Sequence, residues 1–208
     1  MVTDDARIVD AKACQVESWV KRNRDSTEYW ALPGCNFTGN IEVTYGGART
    51  SAFGATETTD VLLQVKTLFR TMEPGGWGTG LVLGSIRHPP ERTDRRFADD
   101  LYAYVPTSFS FRGDRFVLHT NAGVLHERRE HRHHLTWGVG GEAQLTAQSW
   151  LIAETYGQNE GRPFLQLGMR HWIVPNRVQV DVTYGNRIGV GSHWISVGLR
   201  LLSPPFLP

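Results

Sequence analysis

The chain has 208 residues, with 22 Lys and Arg against 21 Asp and Glu, a formal net charge of +1, 22 glycines and a hydrophobic share of 40%. That length is one domain with at most a short appendage. The balanced charge removes the attraction to phosphate backbones on which general nucleic-acid binding relies, no apolar run is long enough for a helical membrane span, and the hydrophobic share excludes wholesale disorder.

The opening Met1-Val2-Thr3-Asp4-Asp5 lacks the charged and apolar regions of a secretory signal. Two readings stay open: a cytosolic protein, or a mature exported chain in which Met1 stands in place of a removed signal. From Asp5 to about Asn23, Val9, Ala13, Val16 and Val20 recur at spacings of four, three and four, which predicts an amphipathic helix. Asp4 and Asp5 at its start and Lys21, Arg22 and Arg24 at its end suit the macrodipole. Ala31-Leu32-Pro33-Gly34-Cys35 ends it, and its mixed polar face favours a cover over one end of the core over a membrane-surface anchor. Cys14 and Cys35 are the only cysteines. Joined, they close a loop of about 20 residues and add roughly 3 kcal/mol in the chain-entropy reading. A disulfide is expected because both lie in one short segment with little else to hold it; two unrelated buried thiols are the alternative.

After Phe37 the period changes to two. Val178, Val180, Val182 and Tyr184 oppose Arg177, Gln179, Asp181 and Thr183, and Ile195, Val197, Leu199 and Leu201 oppose Trp194, Ser196, Gly198 and Arg200. The same alternation runs through 61–70 and 115–124 and, more weakly, through 39–49, 77–87, 100–111, 133–144, 148–157 and 163–173. This predicts about ten strands of roughly 10–12 residues in up-and-down order. Short connections such as Glu73-Pro74-Gly75-Gly76 and Val174-Pro175-Asn176 alternate with longer polar ones such as 88–99. One rim is therefore expected to be tight and the other looped.

Long antiparallel strands in this order close into a barrel or leave exposed edges. Strand length, the alternating connections, aromatics at strand ends (Phe69, Trp77, Phe109, Phe111, Phe116) and a charged second face all favour a barrel with hydrocarbon outside. That face carries Glu42, Lys66, His119, Glu142, Glu154, Arg170, Asp181 and Arg200, too much charge for a greasy ligand cavity. Trp150, Trp172 and Trp194 share its parity, and a soluble lipocalin-like small-ligand carrier with a charged exterior stays as an alternative.

The segments Val178-Gln179-Val180-Asp181-Val182-Thr183-Tyr184 and His193-Trp194-Ile195-Ser196-Val197-Gly198-Leu199-Arg200 resemble the small outer-membrane β-barrels of Gram-negative bacteria, and the resemblance extends over about 37–202. It implies an all-β transmembrane barrel over 37–208, preceded by a helical, disulfide-tethered segment over 1–36 in the periplasm. It also implies export with a signal peptide outside this numbering, outer-membrane lipid and lipopolysaccharide as surroundings, and the general barrel-insertion machinery as a partner. Members end their last strand on an aromatic residue. Here Leu201-Leu202 is followed by Ser203-Pro204-Pro205-Phe206-Leu207-Pro208, in which Phe206 is the substitute.

Three groups carry candidate chemistry. The run His126-Glu127-Arg128-Arg129-Glu130-His131-Arg132-His133-His134 contains metal-ligand types, but its spacing matches no closed site, and a solvated loop is expected. Arg92, Arg95, Arg96, Arg128, Arg129 and Arg132 are suited to lipopolysaccharide phosphates. The eight inward charged residues form either a salt-bridged plug or a narrow polar pathway for small solutes, whose periplasmic mouth the N-terminal helix obstructs. A lipid-modifying hydrolase or acyltransferase is the alternative from another class. His193 and Ser196 point to opposite faces, His119 needs an acid from a neighbouring strand, and no GxSxG, HExxH or Walker pattern is present. No cofactor, metal or nucleic acid is implied, and the expected role is that of a structural component or narrow channel.

Overall fold

The computed structural model describes residues 2–52, 54, 57–89 and 99–208. Alternation of apolar and polar side chains produces β1 (Cys14–Asn23), β2 (Ser26–Asn36), β3 (Ile41–Ala52), β4 (Thr58–Arg70), β5 (Trp77–Arg87), β6 (Asp100–Phe111), β7 (Phe116–Glu127), β8 (Arg132–Gln144), β9 (Ser149–Gln158), β10 (Phe164–Val174), β11 (Val178–Arg187) and β12 (His193–Leu202). Each strand pairs antiparallel with its neighbours in the chain, and β1 pairs with β12 from Gln15↔Leu202 to Asn23↔Trp194. The sheet therefore closes and leaves no free edge.

Connections 37–40, 71–76, 112–115, 145–148 and 175–177 lie at one end, the turn rim, and the facing ends of β1 and β2, β3 and β4, β5 and β6, β7 and β8, β9 and β10, and β11 and β12 lie at the other, the loop rim. In the turn 175–177, Asn176 takes a φ of 57°, a left-handed conformation that asparagine tolerates.

Two expectations are corrected. The wall has twelve strands where the period-two reading counts ten, and no α-helix forms among the described residues. The helix expected over Asp5–Asn23 is an irregular segment up to Ala13 followed by β1. The cause is a degeneracy: a spacing of four keeps Val16 and Val20 on one face of a helix and equally on one face of a strand. Both valines are exposed on the outer face of β1, while Gln15, Glu17, Trp19 and Lys21 line the lumen. What decides is the ladder available on both sides of the segment, to β2 and to β12. Pro33, which reads as a breaker, sits in β2 where pairing to β3 lapses between Ala31↔Gly47 and Gly34↔Thr44, so its missing N–H leaves no vacancy.

Cys14 and Cys35 face each other across β1 and β2 and form the disulfide, with Cα atoms 4.1 Å apart. It lies where the N-terminal segment meets the wall. Lys12 N–H donates to the Asn36 carbonyl at 2.7 Å and Asn36 N–H to that of Ala13 at 3.0 Å. The C-terminal tail docks at the same foot, with Ser203 N–H donating to Cys14 O and Phe206 N–H to Lys12 O.

The polarity is inverted relative to a soluble carrier. Ile195 and Val197 are 55% and 54% exposed on the outside, whereas inward Glu42 and Lys66 are each 4% exposed. Aromatics Phe69, Trp77, Phe111 and Phe116 stand exposed near the turn rim, at girdle positions. This arrangement speaks against the lipocalin-like alternative, whose apolar groups face a central cavity.

The outer face sets a prediction. Val182, 52% exposed at the middle of β11, should cost about 2–4 kcal/mol when replaced by Arg, measured by denaturant unfolding from lipid vesicles. A change within about 0.5 kcal/mol, as for an ordinary water-facing position, would contradict a hydrocarbon-facing exterior.

Candidate functional site

All eight charged residues singled out from the sequence point into the lumen, on eight different strands: Glu42 (β3), Lys66 (β4), His119 (β7), Glu142 (β8), Glu154 (β9), Arg170 (β10), Asp181 (β11) and Arg200 (β12). They do not pair with one another throughout. Arg170 bridges Glu142 and Asp181, with its Nε 3.0 Å from Asp181 Oδ1. His119 Nε2 lies 3.6 Å from the same Glu142 carboxylate, and His119 Nδ1 is 2.8 Å from Ser108 Oγ. Arg200 turns instead to β1, where its Nε donates to Gln15 Oε1 at 2.7 Å and sits 3.3 Å from Glu17.

The remaining three, Lys66, Glu42 and Glu154, meet the N-terminal segment. Residues 2–9 run inside the barrel as a strap, and the exposed residues 10–12 lead to it from the foot of the wall. Thr3 N–H donates to Glu154 Oε2 at 2.6 Å, and Val2 N–H is shared by both oxygens of that carboxylate at 2.9 Å. Asp4 and Asn121 exchange a reciprocal pair, Asp4 N–H to Oδ1 at 2.7 Å and Nδ2 to Asp4 O at 3.0 Å. Ala6 N–H donates to Ser108 Oγ and Val9 N–H to Glu42 Oε2, each at 2.8 Å, while Asn36 Nδ2 donates to Val9 O. An irregular backbone enclosed away from bulk water needs such partners, since an unsatisfied amide costs about 1–3 kcal/mol. Lys66 Nζ reaches Asp4 Oδ1 at 2.8 Å and Asp5 Oδ1 at 3.4 Å, and Tyr104 OH donates to Asp4 Oδ2. Losing either side of such a buried pair costs about 3–5 kcal/mol, because the other charge is stranded.

The strap residues Asp4 and Asp5 were legible only as helix-start acids, and Ser108 and Asn121 carried no signal beyond inward parity. Twelve strands enclose more volume than inward side chains fill, and the strap occupies part of the excess. A cavity of about 430 Å³ remains, bordered by the strap, the charged residues and the aromatic side chains Trp19, Trp30, Tyr104, Tyr156 and Trp194.

Ser108, His119 and Glu142 form a hydroxyl–imidazole–carboxylate series, the residue types of nucleophilic hydrolysis. Ser108 and His119 are both fully buried, and the serine oxygen is occupied by Ala6 N–H beneath the strap. No acyl substrate reaches that oxygen while the strap is seated, so the series acts here as a wall-to-strap anchor. His193 faces outward against Tyr184, away from inward Ser196.

At the loop rim, His126 and His133 stack at 4.4 Å, and inward His134 lies 3.5 Å from Glu127. Among the described residues no three His, Cys, Asp or Glu side chains converge as metal ligands. Arg128, Arg129 and Arg132 border that loop, and Arg92, Arg95 and Arg96 lie outside the described residues.

The chain belongs to the family described as "Uncharacterised conserved protein UCP029691", which matches residues 1–202. No curated protein matches it in sequence. Among solved structures it is similar to the KdgM porin in complex with disordered oligogalacturonate, at a TM-score of 0.71 and 7% identity over 90% of this chain and 98% of that one. It is also similar to the NanC porin, at 0.67 and 7% over 90% and 98%, and to an outer membrane channel from Pseudomonas putida F1, at 0.63 and 9% over 96% and 98%. At these identities the likeness is one of fold.

One titrating group sits at the loop rim. His88, just past β5, places Nδ1 2.6 Å from Asp60 of β4 and Nε2 3.4 Å from Asp100 of β6, and its N–H donates to Asp99 at 2.9 Å. Partial burial disfavours the imidazolium, but the hydrogen bond and charge of Asp60, then those of Asp100, outweigh it and raise the His88 pKa above its ordinary value. A raised folded-state pKa contributes stability that is fully present below the free imidazole value of about 6.5 and is lost as pH rises through the folded value. An NMR titration should find His88 protonated above pH 6.5, and His88→Gln should flatten the fall in unfolding midpoint on the alkaline side. An imidazole titrating at or below its ordinary value would contradict the clamp.

Proposed function

We propose that this chain is an outer-membrane β-barrel acting as a narrow channel for small solutes, closed at rest by its own N-terminal strap. The observation that carries the reading is how the strap is held. Its backbone is bound by carboxylate, hydroxyl and amide side chains of the wall, and its acids by Lys66. Such contacts exchange readily with water or a polar solute, unlike an interdigitated apolar core. The fold shared with the KdgM and NanC porins supports the channel reading.

In this reading the turn rim, with the disulfide and the C-terminal tail, faces the periplasm, and the strap enters the lumen from there. Phe206, exposed on the tail, serves the barrel-insertion machinery in place of a terminal aromatic strand residue. The loop rim faces outward, where Arg128, Arg129 and Arg132 meet lipopolysaccharide phosphates. The eight lumen residues bind passing solute in turn as the strap yields. A lipid-modifying hydrolase has weaker support, because Ser108, the serine set against His119 and Glu142, lies under the strap.

Single-channel recording in planar bilayers tests this. The intact chain should show little or flickering conductance, and a variant lacking residues 2–10, verified as folded by its heat-modifiable gel mobility, should conduct several-fold more. Equal conductance from both, or silence from both, would overturn the strap-gated channel.

A further inference from the structure

The lumen is stratified. Lys66, Glu142, Arg170, Asp181 and Arg200 lie in the halves of their strands nearest the turn rim. The half nearest the loop rim is aromatic: Trp30, Tyr104, Tyr156 and Trp194 border the cavity there, with Trp19 at mid-height beside Trp30. Trp19 and Trp30 are cross-strand partners whose rings stack 5.2 Å apart at 10°.

The wall holds some of these rings flat. Gly185 is the cross-strand partner of Trp194, and a Cβ on it would lie 2.2 Å from the indole. Gly84 pairs with Tyr102 in the same way, at 2.1 Å from the ring, and Tyr102 stacks on Tyr104 at 6.0 Å. Glycine at these two inward positions lets a ring lie along the wall instead of projecting across the lumen, which keeps space open beside its face.

Lys21 and Glu28, which border the cavity in this layer, cancel one another. Lys21 lies 3.1 Å from Glu28 and 4.9 Å over the Trp194 ring, and Glu28 also accepts from Asn23 and from Trp30 Nε1. Two buried hydroxyls bordering the cavity, Thr183 Oγ1 and Thr3 Oγ1, have no hydrogen-bond partner in the protein. Aromatic faces and the paired charges of Lys21 and Glu28 around a cavity of about 430 Å³, with buried, unpartnered hydroxyls on two of the residues that border it, describe a site for an uncharged molecule with apolar flat faces and a hydroxylated edge.

We infer that the loop-rim half of the lumen is a binding site for neutral oligosaccharides, whose ring C–H faces stack on Trp30 and Tyr104 while their hydroxyls engage Thr183. It rests on the loop rim being the open mouth of the channel proposed above, though not on conductance. Lys21, which borders the cavity in this layer, is already held by Glu28, and an acidic saccharide would encounter the carboxylates of Glu28 and Asp4 at its edges, while Arg187, nearer the rim, lies over the Phe164 ring and donates to Arg162 O.

The intact, refolded barrel in a detergent without a sugar headgroup is titrated with maltotetraose, cellotetraose and chitotetraose, and with tetragalacturonate for comparison, following tryptophan fluorescence and calorimetric heat. At least one neutral tetrasaccharide should bind, with tetragalacturonate at least about tenfold weaker. Trp30→Leu should weaken binding by about tenfold and Thr183→Val by a smaller factor. Each variant is first checked for heat-modifiable mobility, and Thr183→Val decides alone if Trp30→Leu fails to fold. Absence of binding by all three neutral probes, or equal binding of tetragalacturonate, overturns the site. Binding by a barrel that never conducts would sink the channel and spare the site, and conductance without binding would do the reverse.

Discussion

Lys66 brings an ammonium group into a lumen where Arg170 engages Glu142 and Asp181, and where Glu42, its cross-strand partner, and Glu154 accept from the strap amides of Val9, Val2 and Thr3. The carboxylates in direct contact with it are Asp4 and Asp5 of the strap. The rest of the molecule is arranged around that need. Closing twelve strands removes every sheet edge but leaves a lumen too wide for side chains alone, and the strap supplies both volume and countercharge. The disulfide and the C-terminal tail then fix the strap's foot to the wall at β1 and β2.

Much of the wall was legible in the sequence because a period of two has one interpretation when it persists over ten residues. Val178 to Tyr184 and Ile195 to Leu201 alternate outward with Gln179, Asp181 and Arg200 inward, as read, and the eight charged positions share the lumen. The Cys14–Cys35 bridge also follows from their confinement to one short segment. The first two strands were hidden for a physical reason. Val16 and Val20 satisfy both periods, and Pro33 punctuates a strand that tolerates it only because the neighbouring ladder lapses there.

The strap was beyond sequence reasoning in a different way. Nothing in Asp4 or Asp5 says that their partner lies about sixty positions away on β4; proximity to a run of apolar residues makes them look like helix-start acids. The partners of the strap's backbone, Ser108, Asn121, Glu42 and Glu154, come from four strands whose register only closure establishes. The aromatic layer near the loop rim was visible as inward Trp194, but its flatness depends on the glycine opposite, a relation between strands.

The most direct test of a strap seated within the lumen is amide hydrogen exchange of the barrel in lipid bilayers, read at Thr3, Ala6 and Val9, whose N–H groups donate to Glu154, Ser108 and Glu42. Protection approaching that of neighbouring strand amides is predicted, with loss of protection when Lys66 is replaced by Met. Exchange at the rate of a free peptide in the intact barrel would show the N-terminal segment outside the lumen and contradict the account.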